Sequence, residues 1–218
     1  MAKYLIVNAD DFGYTERVTQ GITEAHKSGI VTSTSLMVDA DYAVQAAELA
    51  KKYKKLGLGL HFVLKDEKNV KNELGEQFKR FCELTGEQPT HIDSHQHTHL
   101  DDKNKEIFVE FAKKHKIPLR QNSEAIYNGN FYGHSYDENW NHHPLHENIG
   151  LDNLKRIIQK LPSGITELCC HPGHFTPELN DPYNKEREIE LAILTDPSIM
   201  LLIKELNIRL INFAEIPK

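Results

Sequence analysis

The sequence predicts an α/β fold with a parallel sheet of about seven strands. Two observations support this prediction: short apolar runs alternate with amphipathic helical stretches along almost the whole chain, and no low-complexity linker divides its 218 residues. Strands that alternate with helices need crossover connections, which favour parallel pairing. We therefore expect a single domain over residues 1–218. About seven repeats fit a barrel-like arrangement better than an open sheet, although the pattern alone does not decide between them.

Seven apolar runs predict the strands. In chain order they are "KYLIVNA", "TSTSLMV", "GLGLHFVL", "THIDSHQH", "IPLRQ", "ITELCCHP" and "IRLINF". If these strands are parallel, their carboxyl ends meet at one edge of the sheet. Functional groups of α/β folds gather at that edge.

Apolar residues at helical spacing predict the intervening helices. The first, at residues 15–28, begins at a Thr15 cap and places Val18, Ile22 and Ala25 on one face. The stretch at 41–54 is rich in Ala, and the one at 103–115 has a marked apolar face. The other helices are expected at residues 70–85, 151–161, 183–194 and 197–206.

The composition is that of an ordinary soluble protein and argues against two classes of partner. Hydrophobic residues make up 39% of the chain, and the net charge is −6. No apolar run approaches the roughly 20 residues of a membrane span. An acidic chain also lacks the basic surface that nucleic acid requires. The N-terminus has no signal-peptide features, so we expect a cytoplasmic protein.

The three cysteines do not indicate a disulfide framework or a zinc ribbon. Cys82, Cys169 and Cys170 are expected to be reduced thiols in the core. Cys170 precedes His171 directly, and adjacent residues of a strand point to opposite faces. This placement argues against a thiol nucleophile.

Histidine is frequent and unevenly distributed. Of the 13 histidines, four lie in "HIDSHQHTH", three in "HHPLH" and two in "HPGH". Histidine is the commonest metal ligand and a frequent acid or base. These clusters therefore indicate a functional site, although "HHPLH" is expected to be exposed.

Polar residues with suitable chemistry follow the predicted strands at their carboxyl ends. They are Asp10 and Asp11 after the first strand, His61 at the third, Asp93, His95 and His97 at the fourth, Arg120 at the fifth, and His171 at the sixth. If the fourth strand is regular, its alternate residues from His91 to His97 point to one side. A barrel would bring all of these groups to one rim.

One carboxylate and two imidazoles at such a rim form a facial set of three ligands for a divalent cation. The cation would offset the repulsion between Asp10 and Asp11 by binding one of them. Adjacent residues point in different directions, so the other carboxylate stays available as a base. Taken singly, an Asp-Asp pair is also typical of a solvated turn, and a lone His61 of a hydrogen-bonded core residue.

These motifs resemble those of the YdjC-like (ChbG-like) carbohydrate deacetylases. The matching stretches are "VNADDFG", "GIVTSTSLMV", "GLHFVL", "PTHIDSHQHTH", "LR" at 119–120, "FYG" at 131–133 and "CHPG" at 170–173. They occur in the family's order and cover nearly the whole chain. The resemblance implies a distorted TIM-like barrel and metal-dependent removal of an N-acetyl group from an amino sugar, with chitooligosaccharides as the best-known substrates.

The resemblance also implies a role for each matching residue. The metal ligands would be Asp11 of "ADDFG", His61 of "GLH" and His95, the first histidine after "DS". Asp10 would be the catalytic base, and His171 of "CHPG" is the candidate for the general acid. The segment after "HFVL" is much shorter than in the family, and this leaves the identity of the sugar open.

Four further residues are expected to support the site. Asp93 would hold a ligand histidine in one tautomer. Arg120 is expected to hydrogen-bond a substrate oxygen or to hold Asp10 charged, with a structural ion pair as the alternative. Residues 122–150 form a long loop, in which Tyr132 and Trp140 would stack on sugar faces. A loop that is pinned by its own aromatic side chains is the alternative.

The resemblance favours hydrolysis of a small N-acetylated oligosaccharide, and two other functions remain open. One is hydrolysis of a different amide or an ester, and the other is sugar or metal binding without turnover. Two nitrogens and one carboxylate suit a single zinc ion, while magnesium, manganese or cobalt with additional waters are alternatives. The oligomeric state is also open, with a homodimer as one option.

Overall fold

The computed structural model describes residues 2–138, 141–177, 179 and 181–217. In these residues the strands are β1 (Lys3–Phe12), β2 (Ser33–Leu36), β3 (Gly57–Phe62), β4 (Ile92–Ser94), β5 (Ile126–Asn128), β6 (His134–Tyr136), β7 (His142–Pro144), β8 (Gly164–Cys170) and β9 (Ile208–Leu210). The α-helices are α1 (Glu16–Ser28), α2 (Ala43–Ala50), α3 (Val70–Thr85), α4 (Lys105–His115), α5 (Leu151–Gln159), α6 (Asn184–Leu194) and α7 (Pro197–Glu205). Short 3₁₀ helices lie at His95–Leu100, His146–Ile149 and Phe213–Glu215.

Seven of these strands form one parallel sheet with β1 at its centre. The hydrogen-bonded order is β4-β3-β2-β1-β8-β5, and β9 pairs with the first residues of β1. β1 pairs with β8 from Lys3 to Ala9, and its last eight residues, Leu5 to Phe12, are buried. The predicted α/β fold with about seven parallel strands is therefore confirmed.

The sheet curls into a half-barrel. In a flat sheet β4 and β8 would be four strand spacings apart, which is about 19 Å. The guanidinium of Arg120 nevertheless contacts Asp93 in β4 at 2.9 Å and Glu167 in β8 at 2.7 Å. Because one side chain bridges these two strands, the sheet must bend around it, and Arg120 fills the interior of the curve.

The predicted fifth strand, "IPLRQ", is wrong. Leu119 makes only an isolated bridge to Ile92 of β4. Pro118 has no N–H to donate to a ladder, and Gln121 has a φ of 59°, which turns the chain away immediately after Arg120. The strand at the end of the sheet opposite β4 is β5, which pairs with β8.

Residues 122–150 are more ordered than the predicted loop. Besides β5, they contain the antiparallel β6–β7 hairpin, in which Ser135 pairs with His143. The short helix His146–Ile149 follows the hairpin. Trp140, one of the two predicted sugar-binding aromatics, lies outside the described residues.

Helix starts and apolar faces agree with the sequence pattern. The side chain of Thr15 accepts a hydrogen bond from the backbone N–H of Val18 at 3.1 Å, which confirms the predicted cap of α1. Val18 and Ile22 then pack into the main core beside the inner residues of β1. Over the described residues, no helix is long and apolar enough to cross a membrane.

Candidate active site

The two aspartates at the end of β1 have separate surroundings. Asp11 has a φ of 68°, and the pairing of β1 with β2 shifts register between Ala9 and Phe12. An L-residue adopts this backbone region only when the surrounding structure holds it there. Because of this irregularity, the Asp11 side chain does not follow the alternation of side chains between the two faces of a regular strand. Asp10 and Asp11 therefore lie at the same strand end but contact different groups.

The Asp11 side chain meets two histidines from other strand ends. Its Oδ1 lies 3.3 Å from Nε2 of His61, at the end of β3, and 3.4 Å from Nδ1 of His95, just after β4. Within the described part of the chain, neither Asp11 Oδ1 nor His61 Nε2 has a hydrogen-bond partner, although both are buried. Buried polar atoms without a partner are costly. The three predicted ligands are thus brought together, with their donor atoms turned toward one another.

These three donors fit a divalent cation. Ligand atoms at about 2.0–2.2 Å from a metal lie about 3 Å or slightly more from one another, which matches both distances to Asp11 Oδ1. Two other groupings of nearby side chains, one around Asp10, Cys169 and His171 and one around Asp10, His61 and Asp93, are less suitable. Both of them use Asp10, whose two oxygens are already held by a guanidinium.

Asp93 forms a hydrogen bond with His61. Nδ1 of His61 lies 2.8 Å from Oδ1 of Asp93, and the Ser35 hydroxyl donates to Oδ2 of the same carboxylate at 2.8 Å. With Nδ1 as the donor, Nε2 is the atom that faces Asp11. Burial lowers the pKa of His61, but the charge of Asp93 and the contact with Asp11 outweigh burial and raise the pKa to about 10.

Asp10 is held by the buried guanidinium of Arg120. Nη1 of Arg120 donates to Asp10 Oδ2 and Nη2 donates to Oδ1, both at 2.7 Å, and Asn8 donates to Oδ1 at 2.9 Å. Burial raises the pKa of Asp10, yet the charge of Arg120 outweighs it and leaves the pKa below its usual value. Asp10 is therefore ionised over the working pH range of most enzymes.

The position of Arg120 corrects one prediction. Arg120 is completely buried, and its nitrogens also contact Asp93 and Glu167. A side chain enclosed in this way does not hydrogen-bond a substrate oxygen. The other two interpretations drawn from the sequence both match the geometry, because Arg120 holds Asp10 charged and also forms buried ion pairs with Asp93 and Glu167.

Sequence reasoning missed Arg187, which supports Asp11. Nη2 of Arg187, on α6, donates to Asp11 Oδ2 at 2.8 Å and contacts Asp181 at 2.9 Å. Burial raises the pKa of Asp11, but the charge of Arg187 and the two histidines hold it well below its usual range. A signal was present in the sequence, because Arg187 shares a helix face with the apolar Leu191 and Leu194 at spacings of four and seven residues.

His171 lies beside Asp10 at the end of β8. Its Nε2 is 3.9 Å from Asp10 Oδ2, and its backbone N–H donates to the buried Glu190, which also accepts a hydrogen bond from the Tyr183 hydroxyl. Burial lowers the pKa of His171 to about 4. The imidazole is therefore neutral at pH 7, with 19% of its side-chain surface exposed.

The fourth strand departs from the predicted regular geometry. β4 ends at Ser94, and Gln96 and His97 both have positive φ, so the alternation from His91 to His97 does not hold. His91 is fully buried and stacks on Phe213, with ring centroids 3.9 Å apart. His97 lies near the Tyr127 hydroxyl at 3.2 Å. Only His95 of this histidine run joins Asp11 and His61.

The cluster opens to solvent through His95, whose side chain is 42% exposed. Tyr132 lies next to His171, with ring centroids 5.4 Å apart, and stacks on Tyr183. Tyr132 also lines a cavity of about 520 Å³ together with Asn128, Asn130, Asn148 and Asn153. Asp11, His61 and His95 do not line this cavity. Cys169 and Cys170 are buried free thiols whose pKa values burial raises, in agreement with the predicted core role, whereas Cys82 on α3 is only half-buried and lies outside the core.

Known proteins resemble this chain over its full length. It is 32% identical to a carbohydrate deacetylase of Geobacillus stearothermophilus, with 100% of both chains covered. It is 30% identical to a chitooligosaccharide deacetylase of Serratia marcescens, with 99% of this chain and 100% of that protein covered.

Solved structures show the same fold. A candidate cellobiose-phosphate cleavage protein of Enterococcus faecalis V583 superposes with a TM-score of 0.86 at 27% identity, with 100% of both chains covered. A family 4 carbohydrate esterase of Streptomyces lividans, solved with acetate, superposes with a TM-score of 0.61 over 95% of this chain and 91% of that one. At 12% identity, the latter likeness concerns the fold alone.

The family model described as YdjC-like protein matches residues 4–72 and 65–205. These two ranges span most of the chain and include the two aspartates, the two histidines of the cluster, His171 and Arg187. The chain therefore belongs to the YdjC-like family.

Proposed function

We propose that this protein is a metal-dependent hydrolase that removes N-acetyl groups from amino sugars, with chitooligosaccharide-type substrates. One observation carries the proposal: an ionised aspartate and a neutral histidine, Asp10 and His171, lie beside a cluster of one carboxylate and two imidazoles. Relatives that align over the whole chain are named carbohydrate deacetylase and chitooligosaccharide deacetylase, which supports this substrate class.

Asp11, His61 and His95 would hold the metal. When bound, a divalent ion at these donors would polarise the acetyl carbonyl and lower the pKa of a water molecule. The donor set of two nitrogens and one oxygen suits zinc, and magnesium, manganese and cobalt remain alternatives. Arg187 would hold the second oxygen of Asp11 and so fix which oxygen faces the two histidines.

Asp10 is the proton acceptor in this mechanism. Its carboxylate is ionised because the positive charge of Arg120 stabilises the anion, and it lies at the cluster without being one of the three donors. As water attacks the carbonyl carbon, a proton passes from the water to Asp10. A general base in such a position contributes about 10²–10⁴-fold to the rate.

His171 completes the transfer. The C–N bond breaks as the nitrogen of the sugar takes up a proton, and the products are acetate and a free amine. His171 Nε2 lies 3.9 Å from Asp10 Oδ2, and this distance would have to shorten when substrate binds for the proton that Asp10 accepts to reach the amine through His171. A neutral imidazole suits this relay, because it must gain a proton before it donates one.

Tyr132 and the adjacent cavity would receive the rest of the oligosaccharide. Tyr132 contacts His171 and also lines a cavity whose wall includes four asparagines and the basic residues Arg156 and Lys160. Side-chain amides both donate and accept hydrogen bonds, as sugar hydroxyls require. We assign the sugar units beyond the reacting residue to this cavity.

The experiment is an assay of acetate release from N,N′-diacetylchitobiose and longer N-acetylated chitooligosaccharides. The protein is treated with a chelator and then reloaded with zinc, magnesium, manganese or cobalt. We expect acetate from the reloaded protein and none from the chelated one. Acetate from an O-acetylated sugar alone would favour an esterase, and tight sugar binding without acetate under any metal would favour a binding protein.

A further inference from the structure

We propose that Tyr127 is a positioning residue for the Asp11 cluster, because its hydroxyl holds the turn that carries His95. Tyr127 is the middle residue of β5, and its hydroxyl lies 3.2 Å from Nε2 of His97. The two rings also meet edge to face, with their centroids 5.6 Å apart. The inference rests on the proposed metal site of Asp11, His61 and His95, and it concerns how that site is set before a metal binds.

The contact between Tyr127 and His97 joins the two outer strands of the curled sheet. β4 and β5 stand at opposite ends of the order β4-β3-β2-β1-β8-β5, and in a flat sheet they would be five strand spacings, or about 24 Å, apart. Tyr127 of β5 nevertheless reaches His97, which follows soon after the end of β4 at Ser94. The pair, which we call the seam contact, therefore closes the open side of the half-barrel next to the cluster.

The turn after β4 has a backbone that needs support. Gln96 and His97 have φ angles of 54° and 55°. Residues other than glycine adopt this region only where the surrounding structure holds them in it. Ser94 holds the two ends of the turn together, since its Oγ accepts a hydrogen bond from the backbone N–H of His99 at 3.0 Å. The seam contact holds the middle of the turn through the His97 side chain.

The place of His95 depends on this turn. Its side chain is 42% exposed, so the protein interior encloses only part of it. Within the cluster it lies 3.4 Å from Asp11, and its ring meets that of His61 with centroids 5.7 Å apart. A ligand on a turn that is already fixed loses less conformational freedom when the metal binds. The seam contact should therefore increase the affinity for the metal.

Tyr127 is itself well fixed. The guanidinium of the buried Arg120 lies 5.4 Å from the centroid of the Tyr127 ring, a distance typical of a cation–π contact. Burial raises the pKa of the Tyr127 hydroxyl, which therefore keeps its proton and can donate it to Nε2 of His97. Tyr127→Phe retains the ring over Arg120 and removes only the hydroxyl. We expect this variant to fold.

The test is the zinc affinity of the full chain, measured by isothermal titration calorimetry. It compares the native protein with Tyr127→Phe, with His95→Ala and with the double variant. We expect Tyr127→Phe to weaken zinc binding about tenfold, and to change nothing when residue 95 is already alanine. Tyr53→Phe is the matched control, because Tyr53 forms a similar edge-to-face pair with His26, with centroids 5.9 Å apart, before the start of β3. It should bind zinc as the native protein does.

Native zinc affinity in Tyr127→Phe would overturn the inference. A tenfold loss that persists in the His95→Ala background would also overturn it, because a general loss of structure affects Asp11 and His61 as well. A native protein that binds no zinc would contradict the metal site, and Tyr127 would then have no ligand to position. The expected pattern of zinc affinities without any acetate release would support the inference and contradict the proposed activity instead.

Discussion

Arg120 and Asp10 form two parallel hydrogen bonds of 2.7 Å in the buried interior of the half-barrel. The neighbouring Asp11 has its own arginine, since Arg187 donates to it at 2.8 Å. The two adjacent carboxylates are therefore each paired with a buried guanidinium, which offsets their mutual repulsion. The sequence suggested a cation for this purpose, and the structure adds two arginines from distant parts of the chain.

Arg120→Met should destabilise the fold strongly. The substitution leaves Asp10, Asp93 and Glu167 buried without their common counter-charge, and removing one partner of a buried pair typically costs about 3–5 kcal/mol. Urea denaturation measures the change in the free energy of unfolding. Arg80→Met is the control, because Arg80 is an exposed residue paired with Asp39, and it should cost about 1 kcal/mol or less. Equal effects of the two substitutions would contradict the role assigned to Arg120.

Glu167 should make the stability fall as pH rises from about 4.5 to about 7. Burial raises the pKa of Glu167 from an ordinary 4.5 to about 7, although Arg120 opposes the shift. The folded protein then binds this proton more tightly than the unfolded chain, so this contribution is complete below pH 4.5 and is lost as pH rises through 7. Glu167→Gln is uncharged at every pH and should remove about 3 kcal/mol of this dependence. The measurement is the difference in unfolding free energy between the two proteins at pH 4.5 and pH 8. A constant difference would contradict the prediction.

Gly21→Ala should destabilise the protein, whereas Gly75→Ala should not. A Cβ on Gly21 of α1 would lie 2.5 Å from Cα of Gly173, in the turn that follows His171. Backbone atoms cannot move aside cheaply, and we expect a loss of about 1–3 kcal/mol together with reduced turnover. Gly75 of α3 has no atom within 4 Å of its added Cβ, and alanine there should stabilise the helix by about 0.5–1 kcal/mol. The thermal unfolding of both variants tests these two expectations. A Gly21→Ala protein as stable as the native protein would contradict the close packing of Gly21 against Gly173.

His95→Ala should fold normally and lose the metal of the Asp11 cluster. The His95 side chain is 42% exposed and contributes little to the core. Removal of a residue that only supports a metal ligand typically lowers the affinity for the metal about 10–100-fold. Removal of the ligand itself should therefore lower the zinc affinity at least about tenfold. Isothermal titration calorimetry measures the zinc affinity of each protein. His143→Ala is the control, because His143 is an exposed histidine of β7 that contacts Asp137, and unchanged zinc affinity in His95→Ala would remove His95 from the ligand set.

The helices were the most predictable part of the fold. Local signals such as the Thr15 cap and the apolar spacing of Val18 and Ile22 determine where α1 begins and which face it buries. The sequence pattern placed Asp11 and His61 at the carboxyl ends of strands, and both residues lie there. In these cases a local pattern is sufficient.

The remaining features depend on contacts that are distant in sequence. Gln96 and His97 have a positive φ in the turn after β4, although neither is a glycine. The sequence therefore contains no turn signal at this point. The absence of a fifth strand follows from Pro118 and from the turn at Gln121. The pairing of Arg187 with Asp11 joins residues 176 positions apart. Periodicity indicates that Arg187 lies on the buried face of α6, but it carries no information about which residue Arg187 contacts.

The central claim is that Asp10 accepts a proton while Asp11, His61 and His95 bind the metal. Acetate release by Asp10→Asn, measured with the same bound metal content as the native protein, tests this claim most directly. We expect the variant to retain its metal and to lose turnover by about two orders of magnitude or more, as is typical of a general base. Undiminished acetate release, or loss of the metal together with activity, would contradict it.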